Sequence, residues 1–213
     1  INKDKKIFFD TPNVLITKNK ESDKKISKNF KLKIKEKTYL FIGRKRHYKG
    51  FNHLAEIIKN NPKKNFLLIT DYLDFKIENK IVTNNVKILK NISEKTKKYF
   101  LKSSYALIFT SNDLSESYGL VLVEAMYHGL PVITFKCKAG HNFFIKDKFN
   151  SLLAKNGSTS NMSIQINKLH KSTALRKKLS KKCKYTYYKK FSDLNGFNNM
   201  YKYIYNFKFK SIN

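Results

Sequence analysis

The 213-residue chain predicts an α/β protein, a parallel sheet with helices on both faces. Three observations lead there. Short apolar runs alternate with helix-length segments, as in repeated strand–helix–strand units. One run, Tyr105-Ala106-Leu107-Ile108-Phe109, is apolar throughout, as a strand covered on both sides must be. Two runs lead through glycine-containing loops into helices, and parallel sheets gather ligands at such loops, beyond the carboxyl ends of their strands.

The elements follow in order. Residues 1–38 read as a linker: Ile7-Phe8-Phe9 and Val14-Leu15-Ile16 flank Thr11-Pro12-Asn13, and a charged, poorly patterned stretch runs on to Lys37. Tyr39–Ile42 is the first strand, closed by Gly43 and a basic turn that enters the helix Phe51–Lys59. Strands Phe66–Thr70 and Val86–Leu89, helix Ser93–Lys102 and strand Tyr105–Phe109 come next. Thr110-Ser111-Asn112-Asp113 then leaves the sheet toward Glu116. Gly119 is a pivot into an amphipathic helix that stops at Gly129 and Pro131, where helix-termination rules place a glycine and a following proline. Strand Val132–Phe135 follows. Beyond Leu152-Leu153, helices are expected over Asn161–His170 and Ala174–Lys190, and a last one over Leu194–Tyr205.

Two stretches carry the chemistry. In Ser115-Glu116-Ser117-Tyr118-Gly119-Leu120-Val121-Leu122-Val123-Glu124, a helix opens at a glycine, leaving unpaired backbone N–H groups and a positive dipole end that suit a phosphate. Were the whole interval helical, Glu116 and Glu124 would lie about 12 Å apart along the axis. That is too far for a retaining glycosidase pair, whose carboxyls stand roughly 5 Å apart. It is a suitable span for gripping two ends of a long ligand with a phosphate in its middle. In Gly43-Arg44-Lys45-Arg46-His47-Tyr48-Lys49-Gly50, a planar guanidinium and a mobile ammonium follow a strand end, the pairing that neutralises a departing diphosphate. Each stretch alone has an ordinary reading: a surface loop feeding a buried helix, and a solvated basic turn in a lysine-rich chain.

Together, Gly-Arg-x-x-x-x-Lys-Gly after a strand and Glu-x-Tyr-Gly-Leu-Val-x-x-Glu-Ala-Met-x-x-Gly-x-Pro-Val resemble the carboxyl-terminal domain of retaining GT-B glycosyltransferases of family 4. The resemblance covers roughly residues 39–192. It implies a Rossmann-like domain, one half of a GT-B fold, with 193–213 as a carboxyl-terminal helix and tail. It implies catalytic roles for Arg44 and Lys49 on the donor diphosphate and for Glu116 beside the donor sugar. Donor-binding roles fall to Gly43, Ser117, Tyr118, Gly119, Leu120, Glu124 (on the ribose) and His141, which follows Gly140 in a loop at the strand ends. The segment Phe135-Lys136-Cys137-Lys138-Ala139-Gly140-His141 is similar to a loop of the family. Departures are Lys136 where many members have Asp, Phe143 where many have Glu, and Lys90 in place of a glycine near the base-binding loop. The expected activity is transfer of a hexosyl-type unit, with retention and without a metal or other cofactor. The donor is a nucleotide-diphosphate sugar, a UDP-sugar first; the acceptor is a surface glycan or lipid-linked saccharide.

Length and charge bound the rest. The chain begins at Ile1 and reaches its first donor motif within about fifty residues. A full amino-terminal acceptor domain does not fit there, so the chain is expected to be the donor half, a fragment or truncated product not expected to turn over alone. Forty-five Lys and Arg against 15 Asp and Glu give a formal charge of +30, a field that attracts polyanions. Blocks such as Lys18–Lys37 and Lys177–Lys190 are long enough to meet anionic lipid headgroups, making an anionic membrane surface a candidate partner. A nucleic-acid-binding module is the alternative class, and a non-catalytic relic of a glycosyltransferase a third. The first is disfavoured, because the aromatics sit mostly in apolar runs and no nucleic-acid signature appears. No apolar run reaches transmembrane length and no signal-peptide pattern opens the chain. Cys137 and Cys183 make no disulfide or zinc framework, which fits a reducing cytoplasm and, for lipid-linked acceptors, the inner membrane face. His47, His53, His128 and His170 show no metal-ligand spacing and are expected mostly as surface or cap residues.

Overall fold

The computed structural model describes residues 37–72, 79–112, 116 and 119–191. Ser117, Tyr118, nearly all of the expected linker and the expected helix Leu194–Tyr205 lie outside the described residues. Six parallel strands make one sheet: β1 (Tyr39–Ile42), β2 (Phe66–Thr70), β3 (Val86–Lys90), β4 (Ala106–Phe109), β5 (Val132–Lys136) and β6 (Ser151–Lys155). Their order across the sheet is β3-β2-β1-β4-β5-β6. The sheet therefore grows outward in opposite directions from the neighbours β1 and β4. Where the order reverses, the loops leaving the two strands diverge, and a crevice opens past their carboxyl ends.

Helices α1 (Phe51–Lys59), α2 (Glu94–Ser103), α3 (Leu120–His128), α4 (Thr159–Lys171) and α5 (Thr173–Phe191) cover the sheet. Side chains alternate across a strand with period two, and this divides the core. Tyr39, Phe41, Phe66, Leu68, Ala106 and Ile108 pack on one face with α1 and with Met162, Ile166 and Leu169 of α4. Leu40, Leu67, Ile69, Leu107 and Phe109 pack on the other with α2, α3 and Cys183 and Tyr187 of α5. Each large apolar side chain so buried contributes about 1.5–3 kcal/mol. The expected α/β architecture with helices on both faces is what forms. β6 is an addition: it was not expected as a strand, and it pairs along its whole length with β5.

The helix starts fall into two kinds. α2 and α4 begin at Ser93 and Ser158, whose hydroxyls accept from the amides of Thr96 and Asn161 at 3.2 Å. α1 and α3 begin at Gly50 and Gly119, both in the left-handed region (φ 67° and 70°), with no side-chain cap. Serine closes the first two; the two that follow β1 and β4 have no side chain to satisfy their first-turn amides. At its other end α3 stops where expected. Gly129 is left-handed and the Leu130 amide reaches back to the Ala125 carbonyl at 2.8 Å.

Candidate functional site

The loops after β1 and β4 are bound to each other. After β1, the Gly43 amide continues the sheet ladder by donating to the Ile69 carbonyl at 3.0 Å. That amide is therefore not open to a ligand, and Gly43 acts by letting the chain pass close to the Phe41 ring, 3.0 Å from where a Cβ would stand. Asp71, just past β2, holds the turn two residues further on by accepting from the Lys45 amide at 2.9 Å, and that bond leads the interactions that hold its carboxyl below its ordinary range. A 3-10 turn over His47–Lys49 follows. Two side chains from the β4 exit fasten it: Thr110 Oγ1 donates to the Lys49 carbonyl and Ser111 Oγ to the Tyr48 carbonyl, each at 2.7 Å. Both hydroxyl residues are buried. These two residues are the clasp between the loops.

The clasp brings Lys49 to Glu116. The ammonium donates to Glu116 Oε2 at 2.5 Å, with side chains only 16% and 8% exposed. The Lys49 ammonium also lies over the Tyr48 ring at 4.9 Å and the Phe109 ring at 5.7 Å. Phe109 touches the α3 mouth as well, its ring 3.2 Å from where a Cβ on Gly119 would stand. The cation, the first glutamate and the open helix start thus share one rim, at the reversal of strand order. Arg44 is exposed on the same loop and makes no ion pair with a described residue. Leu120, at the start of α3, leaves 48% of its surface to solvent.

Glu124 lies further along α3, half-buried, with Oε1 accepting from Lys97 of α2 at 3.0 Å. Lys97 also meets Glu94 at 2.8 Å. Burial lowers the Lys97 pKa, but its hydrogen bonds and charge contacts with Glu94 and Glu124 outweigh that and leave it raised. Sequence reasoning missed Lys97, because one lysine among 45 basic residues carries no signal.

His141 is enclosed in the 3-10 turn after β5. Its side chain is fully buried, edge-on to Phe109 with ring centroids 5.5 Å apart, and Nε2 stands 3.6 Å from Cys137 Sγ, while Nδ1 meets no described hydrogen-bond partner. Burial pushes the Cys137 thiol up, and the charge of Glu116 adds to the shift. The other histidines also leave the surface more than expected: His170 packs against Tyr39, and His128 is half-buried. Two hollows border the rim. One of about 340 Å³ is lined by the turn from Lys45 to Tyr48, the start of α1 and Asn112. The other, about 720 Å³, is lined by Asn112, Cys137, Asn142 and neighbours on the β5 and β6 exits. The Lys49–Glu116 pair lines neither, being packed into the rim. No group of three or more His, Cys, Asp or Glu among the described residues is placed to hold a metal ion.

Burial holds the imidazoles of His141 and His128 down to about 4 from 6.5, with Lys102, Lys98 and Lys184 adding to the effect at His128. Between those values the unfolded chain binds protons that the native chain refuses, so stability present above pH 6.5 is lost as pH falls toward 4. Urea denaturation at neutral pH and near about pH 5 should show that loss, and His141→Gln should flatten part of it. An unchanged slope in the variant would mean that His141 titrates normally in the native chain.

A sequence profile of the family described as "Glycosyl transferases group 1" matches residues 22–186. The amylovoran biosynthesis glycosyltransferase AmsD of Erwinia amylovora is 31% identical over 159 residues, which is 67% of this chain and 41% of that protein. HepE from Anabaena, crystallised with UDP-glucose, superposes with a TM-score of 0.70 over 87% of this chain and 53% of its own, at 19% identity. The isolated carboxyl-terminal domain of LpcC, a group 1 family protein from Francisella tularensis, gives a TM-score of 0.66 over 80% of this chain and 93% of its own, at 21% identity. The chain spans about two fifths of the length of three curated relatives it matches, AmsD among them. A Rossmann-like sheet shared with these glycosyltransferases and a profile match over most of the sequence agree: the chain belongs to the glycosyl transferases group 1 family.

Proposed function

We propose that this chain is the donor-binding part of a retaining, metal-independent family 4 glycosyltransferase. It takes a hexosyl unit from a nucleotide-diphosphate sugar, a UDP-sugar first, and passes it to a surface-glycan or lipid-linked saccharide. The reading rests on one observation: Lys49 and Glu116, from the loops after β1 and β4, meet beside the uncapped mouth of α3. HepE, crystallised with UDP-glucose, supports the choice of donor.

In this reading the diphosphate sits at the α3 mouth, against the amides of Gly119 and Leu120 and the charges of Arg44 and Lys49. Donor-binding roles for Ser117 and Tyr118 rest on the family resemblance of their motif. Glu124, steadied by Lys97, receives the ribose hydroxyls. Lys49 and Glu116 are paired in this structure, and in this reading donor binding exchanges partners: the ammonium moves to phosphate and the carboxylate turns to sugar hydroxyls. The bond between the anomeric carbon and phosphate oxygen breaks with its electron pair on the diphosphate. The acceptor oxygen bonds to the same face, and its proton leaves toward the departing phosphate. Glu116 orients the sugar and forms no covalent bond. The acceptor is held by an amino-terminal domain of the longer enzyme.

The partner exchange gives an opposite-sign test. Glu116→Gln frees Lys49 and removes a negative charge near the phosphates, so UDP binding should tighten by up to about 1 kcal/mol, roughly fivefold. The advantage of UDP-glucose over UDP should shrink at the same time. Calorimetric titration reads both; weaker UDP binding in the variant would contradict the exchange. Steep, salt-dependent binding of single-stranded RNA with no UDP saturation would favour the nucleic-acid alternative.

A further inference from the structure

Helix α5 presents one continuous exposed stripe: Ala174, Lys177, Lys178, Lys181, Lys184, Tyr185, Tyr188 and Lys189. The spacing of three and four residues puts them on one side of the helix, along about 22 Å of its length. The helix carries no Asp or Glu. At its carboxyl-terminal end the stripe becomes aromatic, with Tyr185 50% and Tyr188 59% exposed, and it continues into Phe149, whose ring lies 6.3 Å from that of Tyr185. Lys182 and Lys189 stand over the Tyr185 ring at 5.3 and 5.7 Å, and Lys182 over Phe149 at 4.9 Å. Asp147, near this patch, accepts from the Leu153 amide.

We propose that this stripe, with Phe149, is a docking surface for an anionic lipid membrane. Three features select a membrane over a nucleic acid. A base stacks on an open aromatic face, whereas the face of Tyr185 is taken by ammonium groups. Lysines with long stems beside half-exposed tyrosines suit the boundary between headgroups and acyl chains, where a ring edge enters and the ammonium stays outside. The convex side of a single helix also meets a plane better than it cups a strand.

The stripe is joined to the donor site by the course of α5. Near its start, Arg176 donates to the carbonyls of Ser104 and Tyr105, just before the amino end of β4. At its end, Lys190 lies 3.9 Å over the Phe143 ring and Phe191 meets Phe144, beside the loop that holds His141. The aromatic end is therefore at the ligand rim, and docking brings that rim to the lipid surface, where a lipid-linked acceptor is held. The docking itself does not depend on the donor reading.

Co-sedimentation of the whole chain with phosphatidylcholine vesicles, with and without phosphatidylglycerol, tests it. Binding should require phosphatidylglycerol. The triple variant Lys178→Gln, Lys181→Gln, Lys189→Gln should lose on the order of 100-fold in binding. Lys59→Gln, Lys63→Gln, Lys87→Gln removes the same charge elsewhere and should lose far less. Tyr185→Ser with Tyr188→Ser should remove the part of binding that survives added salt. Equal losses in the two lysine variants would show attraction by overall charge and overturn the proposal. So would loss of single-stranded RNA binding in the stripe variant with vesicle binding intact. UDP titration of the same variants separates a failed surface from a failed donor site.

Discussion

Replacing Lys49 with methionine is expected to weaken UDP binding by about 1–3 kcal/mol, roughly five- to 150-fold, through loss of a charge-assisted hydrogen bond to phosphate. The same change should destabilise the chain by about 3 kcal/mol, because Glu116, 6% exposed, keeps a charge without its partner. Methionine retains much of the stem that lies against Tyr48 and Phe109, so packing loss stays small. Adding Glu116→Gln separates the two effects. The double variant should recover most of the stability, since no charge is left buried, but only the smaller part of the UDP affinity that an unpaired Glu116 charge takes away. Full recovery of both would mean that Lys49 acts only on Glu116 and never on phosphate.

Among the described glycines, Gly50 should tolerate alanine least. Position 50 has φ 67°, and an added Cβ would stand 2.3 Å from the Thr110 carbonyl oxygen, a backbone atom that cannot turn aside. The backbone strain alone is worth about 1–2 kcal/mol. Relieving the collision means moving the β4 exit away from the β1 turn, which breaks the bonds from Thr110 and Ser111 and separates Lys49 from Glu116. A melting temperature lower by on the order of 5–10 °C is expected, together with weaker UDP binding. Gly157→Ala is the control. Its φ is 69°, but the nearest atom to its Cβ is the Asn112 amide nitrogen at 3.7 Å, so it meets the strain without the collision. Equal losses at the two positions would show that the approach to Thr110 is unimportant.

The sheet was legible in the sequence wherever apolar runs were dense and punctuated. β1 and β2 begin and end where expected, and α3 stops at Gly129 because only glycine takes that left-handed turn without strain. β6 escaped because Ser151-Leu152-Leu153-Ala154-Lys155 is a weak run by itself; its partner β5 makes it a strand. Lys49 and Glu116 were each marked by their own motif. Their contact was not, since it spans 67 positions and depends on β1 and β4 being neighbours, which alternation alone does not dictate. The burial of His141 was not legible either. A residue after glycine at the strand ends reads as a ligand contact, but Phe109 and Cys137, from two other segments, decide that it is enclosed.

A nucleotide's phosphates are expected at the glycine mouth of α3. Backbone amide resonances followed during a UDP titration test it most directly. The largest shifts should fall on Gly119, Leu120 and Val121 and on the Arg44–Lys49 turn, and they should saturate. Saturating shifts confined to the other edge of the sheet, with the Gly119 and Leu120 amides unmoved, would contradict it.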